Sequence, residues 1–207
     1  MSIYFTMHNQ NPQQRLINQT VEMLRAGKLI AYPTDSGYAL GCALGSKDAL
    51  EMVRKIRKLS STHPLSLICS DISQVSQYAV VDNNAFYLLR KLTPGPYTFI
   101  LPATKFVPKL VQGTKRKAVG IRIPDNVIAL ALVQKMGEAI LSSTLWLPEQ
   151  PSPICDPQEI SHGETKCVDL ILDGGMGQDL PTTVVDMTGP TPILVRVGAG
   201  DPTPFQI

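Results

Sequence analysis

Metal-binding patterns are missing from this chain. Its four cysteines, Cys42, Cys69, Cys155 and Cys167, form no C-x-x-C pair, and its three histidines, His8, His63 and His162, stand at no spacing that completes a zinc ligand set. A disulfide framework is equally unsupported by four scattered cysteines in 207 residues, so reduced, mostly buried thiols are expected. Long hydrophobic runs are also missing. The longest, Val127 to Val133, falls far below the ~18 residues of a membrane-crossing helix. The first eight residues, Met1 to His8, lack a basic segment leading into an apolar one, so no signal peptide is expected and a cytoplasmic location is. There is no G-x-x-x-x-G-K-S/T phosphate loop and no G-x-S-x-G nucleophile elbow. Gly174-Gly175-Met176-Gly177 follows a strand pattern but leads into no helix, which predicts a tight turn rather than a dinucleotide fingerprint. The net charge is only +2, too little to coat a nucleic acid through bulk charge. Any anion-binding charge must be local.

What is present reads as a globular α/β chain. Apolar residues make up 43% and charged residues 17%. A chain of this length buries about 70% of its unfolded surface, and one domain over residues 1–207 is expected. Ile3–Phe5 reads as a strand. Asn11-Pro12 reads as a helix start, with Asn11 as cap and Gly27 as stop. Leu29–Tyr32 reads as a strand stopped by Pro33, and Ser46 caps a helix with Ala49, Leu50, Val53 and Ile56 inward. Leu65–Cys69 reads as a strand and Asn84–Leu92 as a helix. Tyr97–Leu101 and Ala118–Ile123 are strand patterns, and Asp125 caps a helix over Val127–Met136 closed by Gly137. Ala139–Ser142, Val168–Leu172, Thr183–Asp186 and Ile193–Val197 complete the strands. Alternating strands and helices followed by a strand-rich last third predict a mixed sheet flanked by helices. Four prolines in Pro148–Pro157 predict a surface loop, either a lid or a merely mobile segment.

The charged positions carry the chemistry. Arg54-Lys55-Ile56-Arg57-Lys58 closes a helix, where cations suit the helix dipole; with Ile56 inward, Lys55 and Arg57 flank the buried face. Arg122 and Arg196 sit inside apolar strand patterns, where an unpaired charge is costly. Each is consistent with a structural ion pair, and the two together with a shared anion site. Lys115-Arg116-Lys117 reads as a solvated turn or as a contact for RNA phosphates. In Tyr32-Pro33-Thr34-Asp35-Ser36-Gly37-Tyr38 a strand breaks into hydroxyl and carboxylate groups, with Asp35 an acceptor for an amine or hydroxyl.

These segments resemble one family in order. Tyr32–Gly41, Lys55-Ile56-Arg57, Thr93–Phe99, Gly120–Pro124 and Thr182–Asp186 match motifs of the YrdC-like family across about Gly27 to Gly198, with the first motif most like its YciO branch. The resemblance implies a twisted α/β sheet with a large, positively charged concave cavity. It also implies threonylcarbamoyl-AMP synthesis, in which threonine, bicarbonate and ATP with Mg²⁺ yield threonylcarbamoyl-AMP and pyrophosphate for a tRNA modification. The family's K-x-R falls on Lys55 and Arg57, for ATP phosphates. Its strand arginine falls on Arg122, for the substrate carboxylate or phosphates, and its Pro-Thr threonine on Thr34, beside the amino acid. Thr144, Thr182 and Arg196 fall on positions that line the nucleotide. The family's S-x-N motif becomes Thr144-Leu145-Trp146, so an amide is replaced by an indole. Lys58 replaces the proline after the K-x-R arginine, and His63 the asparagine of Asn-Pro-Leu. Loss of one fixed hydrogen-bond donor to a transition state costs about 10²–10³ in rate. The alternative function is therefore binding of RNA, double-stranded RNA included, or of a nucleotide in the same cavity without turnover. Trp146 would then stack on a base, its other reading being a packed residue. No heptad or apolar stripe calls for an oligomer, so a monomer is expected.

Overall fold

Helix and strand periods assemble one ten-stranded sheet in the computed structural model, which describes residues 2–60, 63–112 and 117–205. The elements run β1 (Ile3–Thr6), α1 (Gln14–Arg25), β2 (Ile30–Thr34), β3 (Gly37–Ala43), α2 (Lys47–Arg57), β4 (Ser66–Ile68), α3 (Ile72–Tyr78) and α4 (Asn83–Leu92). They continue with β5 (Tyr97–Pro102), β6 (Ala118–Arg122), α5 (Val127–Met136), β7 (Ile140–Thr144), β8 (Leu170–Asp173), β9 (Thr183–Asp186) and β10 (Ile193–Arg196). The strand order is β1-β8-β2-β3-β7-β4-β6-β5-β9-β10. β1 with β8, β2 with β8, β4 with β6 and β5 with β9 are parallel, and the rest antiparallel, so the sheet is mixed as expected.

Register decides what each face does. Leu170 pairs with Ile30, Ile30 with Gly41, Gly41 with Ser142, Ser142 with Ser66, Ser66 with Gly120 and Gly120 with Ile100. Paired residues share a face, so this row runs along one side of the sheet. On its β8-β2-β3 half, Leu170, Leu172, Ile30, Tyr32 and Ala39 pack under α1 and α5 through Ile17, Val21, Leu24, Ile128, Leu132 and Val133. Past β7, Ile68 of β4 still belongs to this core, but the same face otherwise turns to Ser66, Gly120, Thr98 and Arg122. The opposite face is apolar from Ala31 through Leu141, Leu67, Ile121 and Phe99, under α2, α3 and α4.

Several local expectations need correction. α1 starts at Gln14, not Pro12, because His8 Nδ1 accepts the N–H groups of Gln10 and Asn11 and forms a separate turn. Pro33 lies within β2 rather than ending it. β8 pairs only Ile30 and Ala31, so β2 is unpaired on one side where proline occurs. β3 and α3 were not anticipated. α5 is capped by Asn126, whose Oδ1 accepts the Ala129 N–H, while the Asp125 N–H goes to Asp35; Gly137 closes the helix at φ 76°. Ser46 precedes α2 as expected, but its hydroxyl donates to the Gly27 carbonyl. Asn126→Ala is expected to cost about 1 kcal/mol in denaturant unfolding, whereas Asp125→Ala leaves the cap intact.

Candidate functional site

The bare half of the polar face forms the floor of an open cavity of about 870 Å³, within the range of small-ligand sites. Its floor hydroxyls come from strand positions that alternate with core residues: Ser66 beside Leu67, Thr98 beside Phe99, Ser142 beside Leu141. Sequence reading missed these. The available signal was a small hydroxyl residue interrupting otherwise apolar strands. Thr98 and Thr182 bond through their hydroxyls at 2.7 Å, and the Ser142 hydroxyl meets that of Tyr32 at 2.7 Å, where burial pushes the phenol up to about 12.

The cations reach the cavity by separate routes. α2 ends on Lys58 in the left-handed region at φ 49°, and Arg57, the last helical residue, lines the cavity wall with Nε donating to Ser143 Oγ at 3.3 Å. A bulge between Leu194 and Arg196 breaks the β10 register, and Arg196 also lines the cavity; such bulges re-aim side chains. Arg196 donates from Nε and Nη2 to the Thr182 carbonyl at 3.1 and 2.9 Å, and from Nη2 to its hydroxyl at 3.2 Å. Arg122 rises from β6, 3% exposed. No aspartate, glutamate or lysine lines the cavity among the described residues.

Arg122 differs from the other two in being paired. Its Nη2 donates to Asp35 Oδ1 at 2.6 Å and to Ser36 Oγ at 2.9 Å, while the other Asp35 oxygen accepts the Asp125 N–H. Asp35 thus holds a guanidinium rather than a ligand amine. Arg57 and Arg196 have no carboxylate within ion-pair distance among the described residues. Burial, and then the charge of Arg196, pulls Arg57 down to about 10; burial and the charge of Arg122 pull Arg196 down as well. Both remain charged at neutral pH, under mutual repulsion that a bound anion would relieve. Partial burial and the charges of Arg57 and Arg54 also lower His63, so this rim residue is neutral there. Pyrophosphate is accordingly expected to raise the thermal unfolding midpoint by several degrees, and chloride at equal ionic strength to leave it unchanged.

Of the residues singled out beforehand, Arg57, Arg122, Thr144, Thr182 and Arg196 line this one cavity. Lys55 and Thr34 do not. Lys55 is exposed on α2, where its charge acts on the Cys167 thiol, because the helical turn between 55 and 57 sends the two side chains apart. Thr34 is buried, donates to the Gly37 carbonyl at 2.7 Å and accepts the Ser36 N–H at 3.2 Å, so it shapes the turn that presents Asp35 and Ser36. Trp146 lines the cavity, its Nε1 donating to the Gln150 carbonyl at 2.9 Å. The loop from Pro148 to Pro157 is no free lid: Pro153, Ile154 and Pro157 are buried, and Ile154 bonds to Leu145 and Tyr38 through its backbone. Lys115 and Arg116 lie outside the described residues. All four cysteines are free thiols. Among the described residues no cluster of His, Cys, Asp or Glu could hold a metal, and no helix is long and apolar enough to cross a membrane.

Known proteins share this fold. The Sua5/YciO/YrdC family profile, which carries the description telomere recombination, matches residues 22–198. The uncharacterised YciO protein of Escherichia coli K12 is 51% identical over 205 residues, 99% of this chain and 100% of that one; the E. coli YciO crystal structure superposes with a TM-score of 0.96 over 100% of both chains. The threonylcarbamoyl-AMP synthase of Coxiella burnetii (strain RSA 493) is 33% identical over 82% of this chain and 91% of its own. Sua5 of Pyrococcus abyssi, solved in complex with L-threonine, shares the fold at 24% identity and a TM-score of 0.87, over 95% of this chain and 58% of that one. The chain therefore belongs to the Sua5/YciO/YrdC family.

Proposed function

We propose that the chain is a nucleotide-dependent synthase of the threonylcarbamoyl-AMP type. The observation that carries this reading is the convergence of Arg57 and Arg196, which lack a carboxylate partner among the described residues, with a floor of hydroxyls in one cavity that no described carboxylate lines. Its relationship to a threonylcarbamoyl-AMP synthase at 33% identity supports the same chemistry. Threonine and bicarbonate condense to a carbamate with loss of water. A carbamate oxygen then attacks the α-phosphorus of ATP, the bond to the bridging oxygen breaks, and pyrophosphate leaves with that electron pair. No side-chain nucleophile is needed. Such transfers depend on positioning and charge stabilisation, which Arg57 and Arg196 supply over the phosphates and the Thr98–Thr182 hydroxyls beneath them. Among the described residues no acidic side chain lines the cavity, so these residues do not form a Mg²⁺ site of their own, and the ion would enter on the nucleotide phosphates.

The test is a mass-spectrometric assay with ATP, Mg²⁺, threonine and bicarbonate. Threonylcarbamoyl-AMP is the expected product; its absence under conditions where ATP binds would overturn the reading. Trp146 favours one rival, because an indole anchored at the cavity wall offers a stacking surface for a base of RNA. That rival predicts no product and an RNA affinity falling steeply from low to moderate salt.

A further inference from the structure

Among the described residues His63 is the one lining the cavity that titrates near neutral pH. It stands at the rim, in the connection from α2 to β4. Its own N–H donates to the Ser60 carbonyl at 3.1 Å, and two residues on the Leu65 N–H donates to the Val111 carbonyl at 3.3 Å. Pro64 between them also lines the cavity and has its φ locked by its ring. The imidazole is thus held at the cavity by its backbone. Its side chain has no hydrogen-bond partner among the described residues, so the fold uses neither ring nitrogen.

The charges acting on His63 are cationic. From α2 come Arg57, inside the cavity, and Arg54, which is paired with exposed Glu51 at 3.3 Å. Across the cavity stand Arg196 of β10 and Arg122 of β6, the latter paired with Asp35. Lys58 is turned to Glu149 at 3.2 Å, and Lys109, on the segment that holds Leu65, is exposed. Partial burial, then Arg57 and Arg54, keep the imidazole neutral at pH 7 in the free protein. An anion placed on Arg57 cancels part of that repulsion and adds an attraction for an imidazolium.

We propose that His63 is a proton-coupled ligand of this cavity: when a phosphate-bearing anion binds at Arg57 and Arg196, one imidazole nitrogen takes a proton from solvent and the imidazolium becomes a third cation on that anion. The proposal rests on the cavity being a polyanion site and requires no turnover there. The bound state holds one proton more than the free state. Affinity therefore rises as pH falls through the His63 range, and levels off once His63 is protonated in the free protein as well. A permanent cation at this rim would face Arg57 at all times, whereas histidine carries its charge only while the anion offsets it.

Sulfate is the probe, because its charge is constant over the range in which histidine titrates. Proton magnetic resonance of the imidazole Cε1–H groups reads each histidine, with His63→Gln identifying the His63 signal. His8 lies in the turn before α1 and His162 in a separate, smaller pocket, so both serve as controls. Saturating sulfate, against chloride at equal ionic strength, is expected to raise the His63 midpoint by about one pH unit and to leave the other two in place. Sulfate affinity, read from backbone amide shifts, is expected to rise about tenfold from about pH 8 to about pH 5. His63→Gln is expected to change less than about twofold over that range, and His63→Lys to bind at the upper pH about as tightly as wild type at the lower. In Arg57→Ala the His63 midpoint should rise before sulfate is added, because a neighbouring charge is gone, and sulfate should move it no further.

A His63 midpoint that stays in place while amide shifts show sulfate bound overturns the proposal, as does folded His63→Gln with the wild-type pH dependence. The expected pattern in a protein that makes no threonylcarbamoyl-AMP removes the proposed reaction and keeps the coupling. Wild type that binds neither sulfate nor pyrophosphate overturns both.

Discussion

Arg57→Ala is expected to lower threonylcarbamoyl-AMP formation by about 10²–10³-fold, the size seen when one fixed donor to a charged transition state is removed. The side chain ends α2 at the cavity wall, and among the described residues its one side-chain hydrogen bond is a long one to Ser143. Little of its charge is therefore spent on the fold. Arg57→Lys keeps a charge but not the planar fork, so it should recover nucleotide affinity better than turnover. Lys55→Ala, two residues earlier on an exposed face, is expected to stay within about threefold of wild type by this geometry. Wild-type turnover in folded Arg57→Ala would remove this residue from the chemistry. Loss from Lys55→Ala equal to that from Arg57→Ala would show that the α2 end rearranges when substrate binds.

The second large effect is expected at Gly198. A Cβ there would lie 2.1 Å from the Pro181 carbonyl oxygen and 2.5 Å from the Thr182 carbonyl carbon. Both are backbone atoms, so no rotamer change relieves the clash. The Gly198 N–H donates to the Thr183 hydroxyl at 2.9 Å, which holds the close approach, and the Thr182 carbonyl pushed aside is the acceptor that orients Arg196. Gly198→Ala is expected to cost about 3 kcal/mol, a fall in melting temperature of roughly 6–12 °C for a chain of this size. Pyrophosphate affinity should fall with it, because the acceptor of Arg196 has moved. Wild-type melting would mean that the Pro181–Thr182 backbone yields freely.

Much of this architecture is legible in the sequence. The helix from Val127 to Met136 stands between polar caps, β9 is bounded as expected at Thr183–Asp186, and five cavity residues belong to motifs that can be matched one by one. β3 was not legible: Gly37–Ala43 is buried on both faces and carries no alternation. α3 was missed because Ile-Ser-Gln-Val-Ser-Gln-Tyr shows too little apolar periodicity over seven residues. Lys55 was assigned with Arg57 by motif, yet helix geometry separates them. The Asp35–Arg122 pair joins residues 87 positions apart, and no local pattern could announce it.

The cavity floor takes Ser66, Thr98, Gly120 and Ser142 from strands widely separated along the chain, and Thr182 from the residue before β9. No contiguous fragment contains the floor, and it exists only once non-local pairings from β4 to β9 have closed. Such pairings are costly in loop entropy. A ligand spanning the floor thus acts as a clasp on this non-local part of the ladder, and it should slow unfolding chiefly by holding β9 and β10 against β5.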